Sequence, residues 1–167
     1  MTKAEAFCRR IDAINRWAGI IASTLLLPLM TIVMMEVILR HFFRSPTIWS
    51  WDVNVQLAAA LAVMAGGYGL LSGSHVSVDV ISSQLTRRAR AWVDLVTSGI
   101  FFFVMVTLIW VAVSWAGYSI ATRELYTSLF EPPLYPLRVV VAIGLFLMLI
   151  QGIAKFIRDL AIVTSAD

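Results

Sequence analysis

Read for polarity, the chain is four long stretches almost empty of charge, separated by short clusters that gather nearly all of it. Trp17 to Met35 runs 19 residues without an Asp, Glu, Lys or Arg, Val53 to Ser74 runs 22, Leu95 to Thr122 runs 28 and Val139 to Ala154 runs 16. A helix needs about 20 mostly apolar residues to cross a hydrocarbon core of about 30 Å, so each stretch predicts a transmembrane helix. The first reaches full length by continuing past Glu36 through Val37–Leu39. The fourth does so by starting at Leu134–Leu137, with Arg138 and Lys155 snorkelling from its ends. The third would be about 42 Å long if wholly helical, so it must tilt or run beyond the membrane. The expected spans are 17–40, 52–74, 92–120 and 134–156.

Two weaker patterns flank the spans. Over 3–16, Phe7, Ile11 and Ile14 recur at helical spacing with Arg9, Arg10 and Asp12 between them, as in a short helix lying in the membrane interface. Over 78–90, Val78, Ile81 and Leu85 share one side, Ser77 or Asp79 is placed to cap the start, and Arg87, Arg88 and Arg90 follow. The predicted fold is an all-α integral membrane protein: one domain over 1–167, with four transmembrane helices plus short interfacial amphipathic helices.

Composition agrees, because 60% of the chain is hydrophobic and 14% charged, whereas a soluble domain is roughly 25% charged. The first apolar run is longer than the 7–15 residues of a secretion signal and no Ala-x-Ala site follows it, so it is expected to be a retained helix. Charge then sets topology. Lys3, Arg9, Arg10, Arg16, Arg87, Arg88, Arg90, Lys155 and Arg158 fall on one side, and Arg40, Arg44, Arg123 and Arg138 on the other. The positive-inside rule puts both termini in the cytoplasm. The basic balance is thus a topology signal, and no nucleic-acid partner is expected.

Candidate chemistry is sparse. Glu36 is the one acid within the depth of span one, and Arg40 stands four residues on, on the same helix face; the pair neutralises itself. Pro46 interrupts the helix after span one, Trp49 and Trp51 suit the headgroup level, and Asp52 sits where the dipole of span two favours a carboxylate. In span two, Ala58, Ala62 and Gly66 recur every four residues, as do Ala65, Gly69 and Gly73, a spacing that lets membrane helices approach closely. His41 and His75 follow spans one and two at opposite membrane faces, about 30 Å apart, so one haem cannot use both. Cys8 is the single cysteine, which leaves no intramolecular disulfide and no Cys-rich metal site. Gly66-Gly67-x-Gly69 lacks the lysine of a phosphate loop. No internal repeat of the inverted-repeat transporter kind is present, and Glu131-Pro-Pro-Leu-Tyr-Pro136 marks a rigid turn before span four. No cofactor, metal or enzymatic activity is expected.

The stretch Glu36-Val-Ile-Leu-Arg40-His-Phe-Phe-Arg-Ser-Pro46-Thr-Ile-Trp49-Ser-Trp-Asp52, then Gly67-x-Gly69 and His75-Val-Ser-Val-Asp79, resembles the small membrane subunit of tripartite ATP-independent periplasmic (TRAP) transporters, the DctQ-type small permease. The family's Arg-x-x-Phe…Pro-x-x-Trp-x-x-acid segment falls on Arg40, Phe43, Pro46, Trp49 and Asp52, and its Gly-x-His segment on Gly73, His75 and Asp79. Asp52 stands where many relatives have Glu. The entry to span four lacks their Leu-Pro-apolar-Gly pattern, which looks like a subgroup variant.

The resemblance implies an accessory scaffold in the bacterial inner membrane. Its partners would be the lipid bilayer, a large membrane subunit that moves the substrate, and a periplasmic substrate-binding protein that delivers an organic acid. Uptake would be driven by an ion gradient, generally sodium. Glu36, Arg40, Trp49 and Asp52 would then fix the outer end of spans one and two, and His75 and Asp79 the cytoplasmic side, some of them contacting the large subunit. The alternative from the residues alone is an autonomous small transporter or channel using Glu36 as its ion-coupled carboxylate.

Overall fold

The computed structural model describes residues 3–72 and 87–164. Among the described residues five helices follow one another: α1 (Lys3–Thr24), α2 (Leu26–Phe42), α3 (Ser50–Leu71), α4 (Arg87–Thr122) and α5 (Tyr135–Thr164). No strand occurs among the described residues beyond an isolated bridge between Leu125 and Pro133. The all-α membrane architecture expected from the charge pattern is present, with four segments among the described residues long and apolar enough to cross a membrane: Glu5–Phe42, Ser50–Leu71, Thr97–Thr122 and Tyr135–Thr164. At 22 residues, α3 is about 33 Å long and matches the hydrocarbon thickness. At 36 residues, α4 is about 54 Å long and must pass well beyond it.

The first segment is two helices bent at Leu25. Pro28 carries no amide hydrogen, so the carbonyl of Thr24 loses its helical partner. The chain tightens there, with the Leu25 amide reaching Ala22 O at 3.0 Å, and the hydroxyls of Ser23 and Thr24 donate to Ile20 O and Ile21 O, both at 2.7 Å. Such hydroxyl back-bonds bend helices. No residue of α2 is buried.

Residues 3–16 form the first half of α1 and pack in the bundle. The buried positions are Cys8, Ile11, Asn15, Ala18 and Ala22, a 3-4-3-4 spacing that keeps one stripe against a neighbour. Of the three apolar positions marking that segment in the sequence, Ile11 is buried while Phe7 and Ile14 are exposed. In lipid, hydrophobicity does not distinguish inside from outside, and small or polar side chains take the packed face. The thiol of Cys8 donates to Ala154 O at 3.7 Å.

Helix α5 touches α1, α3 and α4 and is the hub of the bundle. Among the described residues four glycines sit where a Cβ would come within 3.0 Å of another helix: Gly19, against Tyr68 of α3, and the three that follow. A Cβ at Gly144 would lie 2.9 Å from the backbone of Val63 on α3, one at Gly152 would run into the Phe101 ring of α4, and one at Gly67 would collide with Asn15 Oδ1. Asn15, fully buried, donates to Gln151 Oε1 at 2.8 Å; Gln151 Nε2 donates to Asp12 Oδ1 at 2.9 Å, and Arg158 pairs with the other Asp12 oxygen. This chain of contacts ties α1 to α5 at the end of the bundle that carries the N- and C-termini.

Gly144→Ala should therefore destabilise the detergent-solubilised protein, because backbone cannot move aside as a side chain does. Overpacking of this kind costs about 1–3 kcal/mol, seen as a lowered midpoint in thermal unfolding. Gly117, with nothing within 4 Å of its Cβ position, is the internal control. Gly117→Ala should leave the midpoint unchanged or raise it.

Candidate functional site at the loop end of the bundle

Opposite the termini lie the α2–α3 connection, 43–49, and the α4–α5 connection, 123–134. Both leave their helix through a left-handed residue that is not glycine: Arg44 at φ 49° and Arg123 at φ 48°. The Ser45 amide reaches back to Leu39 O at 3.2 Å and the Glu124 amide to Ser119 O at 3.1 Å, which satisfies carbonyls the helix ends would leave open.

Three carboxylates organise this end. Glu36 projects from α2, its side chain 13% exposed, and bonds with both oxygens: Arg40 donates to Oε1 at 2.9 Å, and the Thr47 hydroxyl and amide donate to Oε2 at 2.6 and 3.3 Å. Glu36 therefore ties the end of α2 to the turn after Pro46, a contact that an i,i+4 pair alone would not make. Asp52, in the first turn of α3, is 4% exposed and accepts from the Ser128 hydroxyl at 2.5 Å. The same hydroxyl accepts from the Glu131 amide at 3.1 Å. Glu124 accepts from Arg138 at 2.7 Å, and the Arg138 guanidinium also donates to Trp115 O at 3.4 Å and lies 5.3 Å from the centre of the Trp115 ring.

The 123–134 connection is thus a folded clasp. The Tyr126 amide donates to Pro132 O at 2.8 Å and the Leu134 amide to Glu124 O at 3.0 Å, closing the loop on itself. Ser128 and the Pro133 carbonyl, which accepts from Gln56 at 3.4 Å, hold it to α3, and Glu124 holds it to α5. Between α2 and α3 a cavity of about 410 Å³ opens, lined by Leu29, Val33, Val37, Val55 and Ala58, with Glu36, Arg40 and Asn54 among its polar lining.

The structure thus brings Glu36, Arg40, Trp49 and Asp52 to one end. Trp49 precedes α3 and is half-buried, while Trp51 is exposed. His41 is exposed, its ring edge-on to Phe42. His75 and Asp79 lie outside the described residues, as does Gly73. In the small-residue series of α3, Ala58 and Ala62 are exposed, Ala65, Gly66 and Gly69 are half-buried, and Gly66 faces Met148 of α5. The tightest approaches of α3 run instead through Gly67 and Val63. Sequence reasoning also missed Thr47, Ser128, Glu124, Asn15 and Gln151. Gln151 was the visible clue, as a polar side chain inside an apolar run. Among the described residues, no three His, Cys, Asp or Glu side chains come together to hold a metal ion.

A family model for the DctQ component of tripartite ATP-independent periplasmic transporters matches residues 29–162. That match starts within α2, ends within α5 and takes in both connections of the loop end. No curated protein matches the chain.

Removing the Ser128 hydroxyl leaves the Asp52 carboxylate buried without that donor, at a cost of about 1–3 kcal/mol. In Ser128→Ala, hydrogen exchange at the Tyr126 and Leu134 amides should therefore speed up about tenfold or more. Exchange at α5 amides near Gly144 should hold at its original rate. Unchanged exchange in the clasp would show that the Asp52–Ser128 bond does not hold it.

Proposed function

The chain belongs to the DctQ family, the small membrane component of TRAP transporters, and from that premise we propose that it is the stationary scaffold of such a transporter. The family works beside a large membrane subunit and a periplasmic binding protein, is a transporter component and not an enzyme, and is a multi-pass protein of the inner membrane. The proposal adds the division of labour. This chain anchors the large subunit, which moves an organic acid received from the binding protein at the expense of a sodium gradient. The two termini lie in the cytoplasm, on the strength of the nine basic residues on that side against four on the other.

The observation that carries the proposal is the state of Glu36. A carboxylate that binds and releases an ion must change partners during a cycle. Glu36 instead has both oxygens engaged by Thr47 and Arg40 of its own chain, where it fastens a turn. Asp52 and Glu124 are likewise committed to the 123–134 clasp. These groups give the loop end a fixed shape, which suits a surface against which another subunit is held.

Reconstitution into proteoliposomes tests this directly. Ion-gradient-driven uptake should appear only when the large subunit is present with this chain and the binding protein is supplied; uptake by this chain alone would overturn the scaffold reading in favour of a small autonomous transporter. Arg40→Ala and Asp52→Ala should each lower the amount of assembled complex recovered from membranes. Normal assembly and uptake in both would remove these residues from the scaffold role.

A further inference from the structure

The cavity between α2 and α3 is a slot whose lining changes from apolar to charged along its length. Leu29, Val33 and Val37 wall it on α2, Val55 and Ala58 wall it on α3, and Arg40 and Trp51 stand at its mouth. Val33, Val37 and Val55 are exposed, so the slot gives onto the membrane. Its α2 wall runs 11 residues from Leu29 to Arg40, about 16 Å of helix, which is close to half of a hydrocarbon core of about 30 Å. So apolar a lining excludes water, and in a bilayer the space fills with hydrocarbon. A partner helix is a poor occupant. It would cross the whole core, and at about 10–12 Å across with its side chains a 16 Å length of it takes up about 1,200 Å³ or more, against a cavity of about 410 Å³. Such a helix would lie over the slot without filling it. One acyl chain from the leaflet at the loop end has the right length.

The polar groups fit the rest of a phospholipid. The Arg40 side chain is 69% exposed and gives one nitrogen to Glu36 at 2.9 Å. A guanidinium carries five N–H donors, so the others are free to hold a phosphate, which arginine binds well. Trp51 beside it suits the headgroup level. Asn54, one turn into α3 from Ser50, places an amide on the slot wall with its oxygen buried and unpartnered among the described residues. Its nitrogen is a donor at the depth of the glycerol esters. We propose that the slot is a phospholipid site, with the phosphate on Arg40, an ester carbonyl at the Asn54 amide nitrogen and one acyl chain between α2 and α3. The lipid then completes the wall behind the Glu36 turn, where the protein alone leaves a gap.

The full-length chain, extracted from membranes and washed in mild detergent, is weighed by native mass spectrometry. A single phospholipid should remain on the wild-type chain. Ala58→Trp and Val33→Trp fill the slot from its two walls and should each lose the lipid, whereas Val113→Trp, on α4, should keep it. Arg40→Gln leaves the slot open and should cut the retained fraction about tenfold, the scale of a hydrogen bond to a charged group. A second measurement needs no variant: a phospholipid with a photoactivatable acyl chain, retained through extraction and then illuminated, should mark Val33, Val37, Val55 or Ala58. The site is refuted by a wild-type chain that retains no phospholipid, by adducts that fall outside the slot, or by full retention in the two tryptophan variants or in Arg40→Gln. It is equally refuted if the lipid is absent whenever the large subunit co-purifies, since the slot then belongs to that subunit. None of these results bears on the scaffold reading, which the reconstitution decides.

Discussion

The bundle depends on how close α5 can come to its neighbours. Inside a bilayer the hydrophobic effect does not press helices together, since lipid solvates an apolar face as well as protein does. Cohesion comes from close packing and from the few polar contacts that hydrocarbon cannot supply. Gly144 lets the backbone of α5 lie on the backbone of α3 at Val63, and Gly152 seats Phe101 of α4. Gly67 leaves space on α3 for the Asn15 amide, which α1 needs to reach Gln151. A methyl group at Gly144 or Gly152 would push α5 away from α3 or α4, and one at Gly67 would displace the Asn15 amide that α1 holds against Gln151.

Polar groups then lock the two ends of this glycine-packed middle. At the terminal end, Asn15, Gln151, Asp12 and Arg158 run from α1 to α5. At the loop end, Glu36, Asp52 and Glu124 each fasten a connection to a helix. The worth of these bonds lies in their position. In low dielectric a satisfied polar network rigidifies, and a half-satisfied one costs more than an apolar contact would. Arg44, Arg123 and Glu131, all in left-handed backbone, belong to the same set of fixed turns. Without glycine they hold a conformation that ordinary side chains avoid, and the surrounding hydrogen bonds keep it in place.

The spans were legible because charge is excluded from hydrocarbon, so the boundaries of uncharged runs mark the membrane whatever the packing. The Glu36–Arg40 pair and the position of Asp52 at the head of α3 were legible for the same local reason. The packed faces were not. In water the buried side of a helix is its apolar side, but in this chain the buried side of α1 carries Cys8, Asn15, Ala18 and Ala22 while Phe7, Ile14 and Trp17 face outward. The large apolar side chains of α1 therefore mark the side turned away from its packing partners. Contacts remote in sequence were equally hidden. Ser128 lies 76 residues from Asp52 and Gln151 136 from Asn15, and only the fold brings them together. The bend at Leu25 was readable from Pro28 and its neighbouring hydroxyls, but an unbroken apolar run masks it.

Rigidity at both ends accords with the scaffold role proposed above. A protein that moved substrate itself would keep a carboxylate free to change partners and an element free to shift, whereas Glu36, Asp52 and Glu124 are committed to holding turns in place. Among the described residues, the buried polar atoms left without a partner lie inside the bundle: Asn15 Oδ1, Asn54 Oδ1, Ser119 Oγ and Glu124 Oε2. Two of them belong to side chains whose other polar atom holds a helix or a loop in place, so the chain accepts a half-satisfied group in order to fix its own ends.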